Sequence, residues 1–353
     1  MTKIKSLRVF CLALLVVAGS SCAPPQAPPA TTAAPPSPPQ ATTAVPPSPP
    51  PATTRPAPTP DRSKPGPWDN DVIVTRIGTD GRQERLATFE RAGVPTAARL
   101  QDGRLVAAYQ SFPADDERNF DRVAVRFSSD EGRTWTASTP IVVEGMEAGL
   151  ARPFDPTLVP LPDGRVRLYF TSNRNANNAR SVPAIYSAIS ADAIHYAFEP
   201  GVRFAVEGRV AIDCAVALRD GVFHLIVPDN GTLDDLAAAD ARSAPPRGGT
   251  GYHAISRDGL TFERLADIGL TGGDRWLGNL VSDGGRLVFF GTGPGPWPVA
   301  SADGVTWARS ATGAQLAGAD PGAVKLKDGS WLVIATGPSV RRIPSPQPPT
   351  PKP

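Results

Sequence analysis

Apolar positions along most of this chain fall in paired short runs separated by a polar, two-residue break. Runs 94–101 and 104–109 flank Asp102-Gly103, and runs 155–162 and 165–170 flank Asp163-Gly164. Runs 213–219 and 222–227 flank Asp220-Gly221, runs 276–282 and 286–290 flank Asp283-Gly284, and runs 320–327 and 330–334 flank Asp328-Gly329. Asp-Gly between such runs predicts a hairpin, because both turn positions favour φ > 0. The turn aspartates are 61, 57, 63 and 45 residues apart. Strand pairs repeating at that length predict the blades of a propeller.

A second motif lies between the hairpins. Ser128-Ser-Asp130-Glu-Gly132-Arg-Thr134-Trp135 has shorter relatives at Ser256-Arg-Asp258-Gly259-Leu-Thr261-Phe262 and Ser301-Ala-Asp303-Gly304-Val-Thr306-Trp307. Ser190-Ala-Asp192-Ala-Ile-His-Tyr196 is a copy without the glycine. Ser and Asp side chains bond their own backbone, Gly admits the left-handed residue, and the aromatic packs inward, so each is a turn joining third to fourth strand. No fifth copy follows residue 334. Residues 72–77 and 84–89 instead read as the outer strands of the last blade, donated by the N-terminal side to close the ring. The expected fold is all-β: a five-bladed propeller of four-stranded antiparallel blades. Six blades is the alternative, but no sixth repeat is present.

Ser128–Trp135 fits the Asp-box pattern S-x-D-x-G-x-T-W, and with its relatives the chain resembles the sialidase-like (Asp-box, BNR-repeat) propellers over about residues 72–338. These motifs mark a fold, not a reaction. Aligned on their turns, the inner strands begin at Val94, Asp155, Asp213, Arg275 and Asp320, with a one-residue deletion for Asp213. Loops on that face vary, and its strand starts ring the channel, so it is the expected ligand face. Three carboxylates there supply an acid, a base or nucleophile, and a tuning charge. The set Asp155, Asp213 and Asp320 is similar to that of five-bladed glycosidases of families 32 and 43, with Asp155-Pro156 like their inner-strand motif. Those enzymes carry their base where this chain has Val94. A sialidase binds the sugar carboxylate through an Arg at the position of Gly93 here, and its tyrosine nucleophile has no counterpart. Arg91, Arg152 and Arg275 are the candidate anion cluster, with Asp121 among the loop acids. Trp276 and Trp297 are candidate stacking platforms, and Asn173 leads the Asn-rich loop 172–180. The insertion 229–251 reads as a flap with a short helix over 233–240.

Composition separates this body from its ends. The chain has 353 residues and 41 prolines. Of these, 18 fall in residues 23–67 and 6 in residues 344–353, segments too poor in apolar residues to pack a core and expected to be disordered. Lys3, Lys5 and Arg8, the apolar run 9–17 and small residues before Cys22 form a secretory signal over 1–21. Cys22 resembles the acylated cysteine of a bacterial lipoprotein, although Gly19 replaces the usual apolar residue. Residues 22–68 then read as a tether reaching up to about 140 Å at about 3.1 Å per residue. The expected organisation is signal, lipidated Cys22 with Pro-rich linker, propeller over 69–343 and Pro-rich tail over 344–353. The protein is expected at the cell envelope, on the membrane through its lipid alone.

A net charge of +2 excludes a strongly basic nucleic-acid binder. His195, His224 and His253 are scattered, so no metal site is expected; no cofactor motif appears. Cys214, the last cysteine of the mature chain, reads as a small buried thiol. The expected partner is a glycan or glycoconjugate, met by a monomer either as a glycoside hydrolase or as a non-catalytic carbohydrate- or protein-binding propeller.

Overall fold

The structure, a computed structural model, describes residue 62 and residues 64–175, 181–234 and 248–339. The signal, Cys22, most of the tether, the tail, residues 176–180 and the flap helix beyond residue 234 lie outside the described residues.

Five sheets, antiparallel but for one added edge strand, make five blades. Strands β1 (Asn70–Ile77) and β2 (Gln83–Phe89) come first, followed by the first blade: β3 (Ala92–Arg99), β4 (Leu105–Ser111), β5 (Arg122–Ser128) and β6 (Thr139–Pro140). The second blade holds β8 (Phe154–Pro160), β9 (Val166–Asn173), β10 (Pro183–Ser190) and β11 (His195–Phe204). Its outer edge gains a fifth strand, β7 (Val142–Glu144), paired parallel to β11. The third contains β12 (Ala215–Arg219), β13 (Val222–Pro228) and β14 (Thr250–Ser256), whose edge pairs two short pieces, β15 (Glu263–Arg264) and β16 (Ile268–Gly269). The fourth is β17 (Arg275–Asp283), β18 (Arg286–Thr292), β19 (Trp297–Ser301) and β20 (Ala308–Ala314). The last joins β21 (Ala319–Lys325) and β22 (Trp331–Pro338) to β1 and β2. Two blades thus depart from the expected four strands: β7 covers the outer edge of the second, and the outer strand of the third is split into β15 and β16.

The closing blade is built from both ends of the domain. β1 pairs with β22 over eight residues, from Asn70 against Pro338 to Ile77 against Trp331. Inner strands β3, β8, β12, β17 and β21 contact one another in a closed ring. Apolar side chains fill the gaps between successive blades, with Tyr109, Tyr169, Tyr186, Trp276 and Trp297 among the fully buried. Each large apolar side chain so buried contributes about 1.5–3 kcal/mol.

The four Ser-x-Asp turns share one bonding pattern. Ser128 Oγ donates to Asp130 Oδ1 at 2.9 Å and accepts the Gly132 amide at 2.9 Å, and Trp135 Nε1 donates to the Gly132 carbonyl. Ser301 Oγ and Asp303 repeat the arrangement, with Trp307 on the Gly304 carbonyl. Where the glycine is missing, Ala193 itself adopts φ 62° and its amide still reaches Ser190 Oγ at 2.9 Å.

Candidate active site at the channel mouth

Each inner strand leaves the mouth through a kink. Val94, Asp155, Asp213 and Asp320 all hold left-handed φ, between 49° and 60°, just before regular pairing begins. Asp tolerates that region; Val, branched at Cβ, does not. Threonines on second strands clamp the kinks across blade boundaries. Thr336 Oγ1 accepts the Val94 amide at 3.0 Å, Thr171 Oγ1 accepts that of Asp213 at 3.4 Å, and Thr292 Oγ1 accepts that of Asp320 at 2.7 Å. In each case a blade locks the start of the next.

The fourth blade differs. Its register shift holds three residues, 276–278, where the first blade has two, and its hairpin turns on Gly284-Gly285 alone. Gly278, at φ 152°, therefore lines the site with Val94 and the three aspartates. Arg275, aligned with those residues by turn counting, sits earlier in β17. Its guanidinium still reaches the site: Nη2 donates to Asn230 Oδ1 at 3.0 Å, and its charge acts on both Asp213 and Asp320.

The kinks bring Asp155, Asp213 and Asp320 together with Cys214, Thr96 and Thr157 around a space of about 10 Å³, room for one water. Asp155 is buried, and Asp213 and Asp320 are half-buried residues. Desolvation pushes the Asp155 carboxyl well above the usual range, and the charges of Asp213 and Asp320 push it further. Asp155 is within hydrogen-bond reach of Asp213, so the protonated Asp155 donates to the Asp213 carboxylate. Burial raises Asp213 to about 6, held back by that bond and by Arg275. Asp320 is also raised well above its usual range, by desolvation and then by Asp213. Its carboxylate meets no hydrogen-bond donor among the described residues. The site therefore holds two protonated carboxyls around a third that ionises first. Burial pushes the Cys214 thiol up, so it is a packed, unreactive neighbour.

Thr96, Thr157 and Asn279 floor this compartment. Asn279 Nδ2 donates across the axis to Thr96 Oγ1 at 3.2 Å, and Thr157 Oγ1 donates to the Cys214 carbonyl. Beyond them the channel widens to about 260 Å³, lined by Leu158, Val216, Leu280 and Val324, toward the opposite face.

Several expected contacts fall elsewhere. Trp276 is fully buried, edge-on to Phe289 and Trp307 at 4.8 and 5.0 Å, and Trp297 is 1% exposed. Neither can stack on a sugar, because both indoles complete the inter-blade core. Arg91 donates to the Phe112 carbonyl and Arg152 pairs with Asp121, so the three arginines form no anion cluster, and of the three the charge of Arg275 acts on Asp213 and Asp320. Asn173 does end β9 on the mouth side. The histidines are not all scattered: His224 Nδ1 and His253 Nε2 lie 3.2 Å apart. Among the described residues no group of three or more His, Cys, Asp or Glu side chains is arranged to hold a metal ion.

No protein-family model and no curated protein matches the chain. Solved structures resemble it at low identity. A Bombyx mori GH32 beta-fructofuranosidase is 14% identical, with a TM-score of 0.48 over 68% of this chain and 54% of its own. An alpha-L-arabinofuranosidase from Fusarium graminearum is 15% identical, with a TM-score of 0.45 over 73% of this chain and 83% of its own. A Penicillium chrysogenum alpha-L-arabinanase is 14% identical, with a TM-score of 0.43 over 77% and 86%. The chain spans about half the length of the first of these.

Proposed function

We propose that the chain is a glycan-acting propeller that cleaves a glycosidic bond at the channel mouth, with Asp320 as proton donor, Asp213 as the ionised partner and Asp155 as the group that positions and tunes Asp213. One observation carries this reading: Asp155, Asp213 and Asp320 line one small compartment at the channel mouth, where burial raises all three carboxyls and the charge of Arg275 counters the rise at Asp213 and Asp320. Buried carboxyls tuned by one another in this way are fit to serve as acid and base. Asp320 gives its proton to the glycosidic oxygen as the C–O bond breaks. The Asp213 carboxylate attacks the anomeric carbon or takes a proton from the water that does. Because the compartment beneath has room for only one water, the sugar sits above it, over Asp213 and Asp320. Asp155 cannot serve as the second reacting carboxyl with Asp213, since hydrogen-bond contact is far shorter than the about 5 Å a retaining pair needs.

Val94 favours a second reading, binding without turnover, because the first blade contributes no carboxylate to the ring. One assay separates the two. Wild type, Asp320→Asn and Asp213→Asn are compared on a panel of aryl glycosides, with substrate binding followed in parallel. Turnover that falls about 10²-fold or more in both variants supports hydrolysis. Binding without any turnover by the wild type leaves the second reading.

We further propose that the protein is exported and held at the envelope through acylated Cys22. The charged start, apolar run and small residues before Cys22 support this, and residues 23–67 would serve as the tether. Metabolic labelling with a radioactive fatty acid, lost in Cys22→Ala, tests it.

A further inference from the structure

The five inner strands run down the axis in one register. Thr96, Thr157, Ala215, Asn279 and Gly322 pair with Ala108, Tyr169, Ile226, Phe290 and Ile334, each five residues past a turn glycine. These five form one level of the channel, and the channel is pinched there. A Cβ on Gly322 would lie 2.7 Å from Thr96 Cα and 2.9 Å from the Pro95 carbonyl oxygen, so β21 and β3 meet backbone to backbone. Asn279 spans the gap that remains, donating from Nδ2 to Thr96 and accepting the Ala323 amide on Oδ1 at 3.2 Å. The space beneath is therefore a blind pocket, closed toward the carboxyls and open on the turn face.

Its volume of about 260 Å³ sets the size of what it can hold. An apolar cavity of roughly 150 Å³ takes up benzene, and drug-sized sites begin at about 300 Å³. One ring with a small substituent fits between those limits. Leu158, Val216, Leu280 and Val324 wall it with apolar side chains, and strand edges run between them. The amides of Leu158 and Ala323 point to the axis, at Thr96 and Asn279. A strand residue turns its carbonyl the same way as its amide, so two carbonyls face the pocket as acceptors. Among the described residues, Arg99 and Lys325 are the charged groups on its wall, and both are matched. Arg99 grips Glu131 at 2.8 and 2.7 Å, and Lys325 donates to Asp283 at 3.2 Å.

We propose that the turn-face end of the channel is a second ligand site, separate from the carboxyl compartment, which takes a neutral monocyclic molecule bearing a hydroxyl: a phenol or a cyclic alcohol. The ring packs among the leucines and valines, and its hydroxyl donates to the carbonyl of Leu158 or Ala323. A carboxylate or an ammonium would lose its water and find every counter-charge already taken, a cost that burying one ring does not offset. The site stands independently of the glycan reading above.

The test is binding of p-cresol to the full chain by calorimetry and saturation-transfer NMR, against anisole, benzoate and benzylamine. p-Cresol should bind with a Kd of about 1 mM or tighter. Anisole, its isomer without a donor, should bind about threefold or more weakly, and the two charged rings about tenfold or more weakly. Val281→Phe and Leu218→Trp enlarge half-buried side chains on the pocket wall and should each weaken p-cresol about tenfold or more. Asp213→Asn, above the pinch, should stay within about threefold of wild type. Melting temperatures check folding, so that one wall variant reports even if the other is damaged. Wild-type affinity in both wall variants overturns the inference, as does lost binding in Asp213→Asn, which would put the ring at the mouth. Equal binding of anisole or of a charged ring overturns the chemistry assigned to the site. No binding of any ring by the wild type leaves a pocket that holds water alone and overturns the inference, without touching the glycan reading.

Discussion

His224 and His253 offer a test of the fold that is independent of any ligand. They lie on adjacent strands β13 and β14, 5% and 1% exposed, their rings stacked 5.5 Å apart under the Gly304 turn. Burial, and then the charge of Arg219, hold both at about 4 rather than the ordinary 6.5, and His253 adds to the effect on His224. The folded protein thus keeps both rings neutral, while the unfolded chain takes up protons below about 6.5. Stability must rise with pH across the window from about 4 to 6.5 and fall on acidification through it. For one such group the loss between pH 7 and pH 5 is about 2 kcal/mol, so the pair loses up to about 4 kcal/mol. The raised carboxyls Asp155 and Asp320 act in the opposite sense, since their folded forms hold protons that the unfolded chain has released. A comparison with the double variant His224→Leu/His253→Leu cancels them. Removing both partners leaves no orphaned polar group, so the variant should fold. Urea unfolding followed by tryptophan fluorescence, at pH 7.0 and 5.0, gives the difference. Relative to wild type the variant should gain about 2–4 kcal/mol over that interval. A gap that is the same at both pH values would refute the buried neutral pair.

Three further outcomes follow from the coordinates. Gly259→Ala would set a Cβ 2.1 Å from Arg167 Nη1 and 2.7 Å from the Tyr169 hydroxyl at φ 71°, and should cost about 2–4 kcal/mol in urea unfolding. Gly221→Ala, at φ 76° with nothing within 4 Å, should cost only about 1 kcal/mol, and equal costs would contradict the close approach of Arg167 and Tyr169 to Gly259. Val94→Asn should raise the melting temperature, because Asn relaxes a left-handed residue that strains Val by about 1–2 kcal/mol; a lower melting temperature would show that the kink is not strained. Asp155→Asn should melt higher than wild type at pH 8, since it removes a carboxyl whose proton is lost as pH rises; the advantage should shrink toward pH 4, and a pH-independent gap would contradict the proton held by Asp155.

The blade count, the closing strands and the three aspartates were legible because each rests on a local pattern. Asp-Gly, Ser-x-Asp-Gly and the two-residue alternation are requirements of turns and strands, and they recur wherever the same backbone recurs. The fourth blade shows where this stops. Its turn aspartate, Asp283, is the last paired residue of β17 rather than a turn position, so counting back from it overshoots the kink and lands on Arg275 instead of Gly278. Trp276 and Trp297 were misplaced for a related reason: composition says that an indole can stack, but only the packing of Phe289 and Trp307 says which face is taken. The threonine clamps carry no motif at all. They become visible once strand register aligns the blades, since Thr171, Thr292 and Thr336 then fall in one row.

That row explains why the same positions carry both backbone and chemistry. A strand that begins in a left-handed kink turns its first side chain toward the axis, and the residues that tolerate the kink are Gly, Asn and Asp. The demand of the fold thus biases the ring toward short polar side chains before any ligand is considered. What the fold does not demand is crowding three carboxyls around room for one water, where each raises the cost of ionising the next. Glycine or asparagine would meet the backbone requirement without that penalty. Val94 marks the opposite case, keeping the kink and the Thr336 clamp while contributing no polar group. The kink therefore persists without the acid, and the acids at Asp155, Asp213 and Asp320 are in excess of what the kink requires. A cost of that kind, borne at one mouth and nowhere else on the ring, is the physical ground for placing the chemistry there.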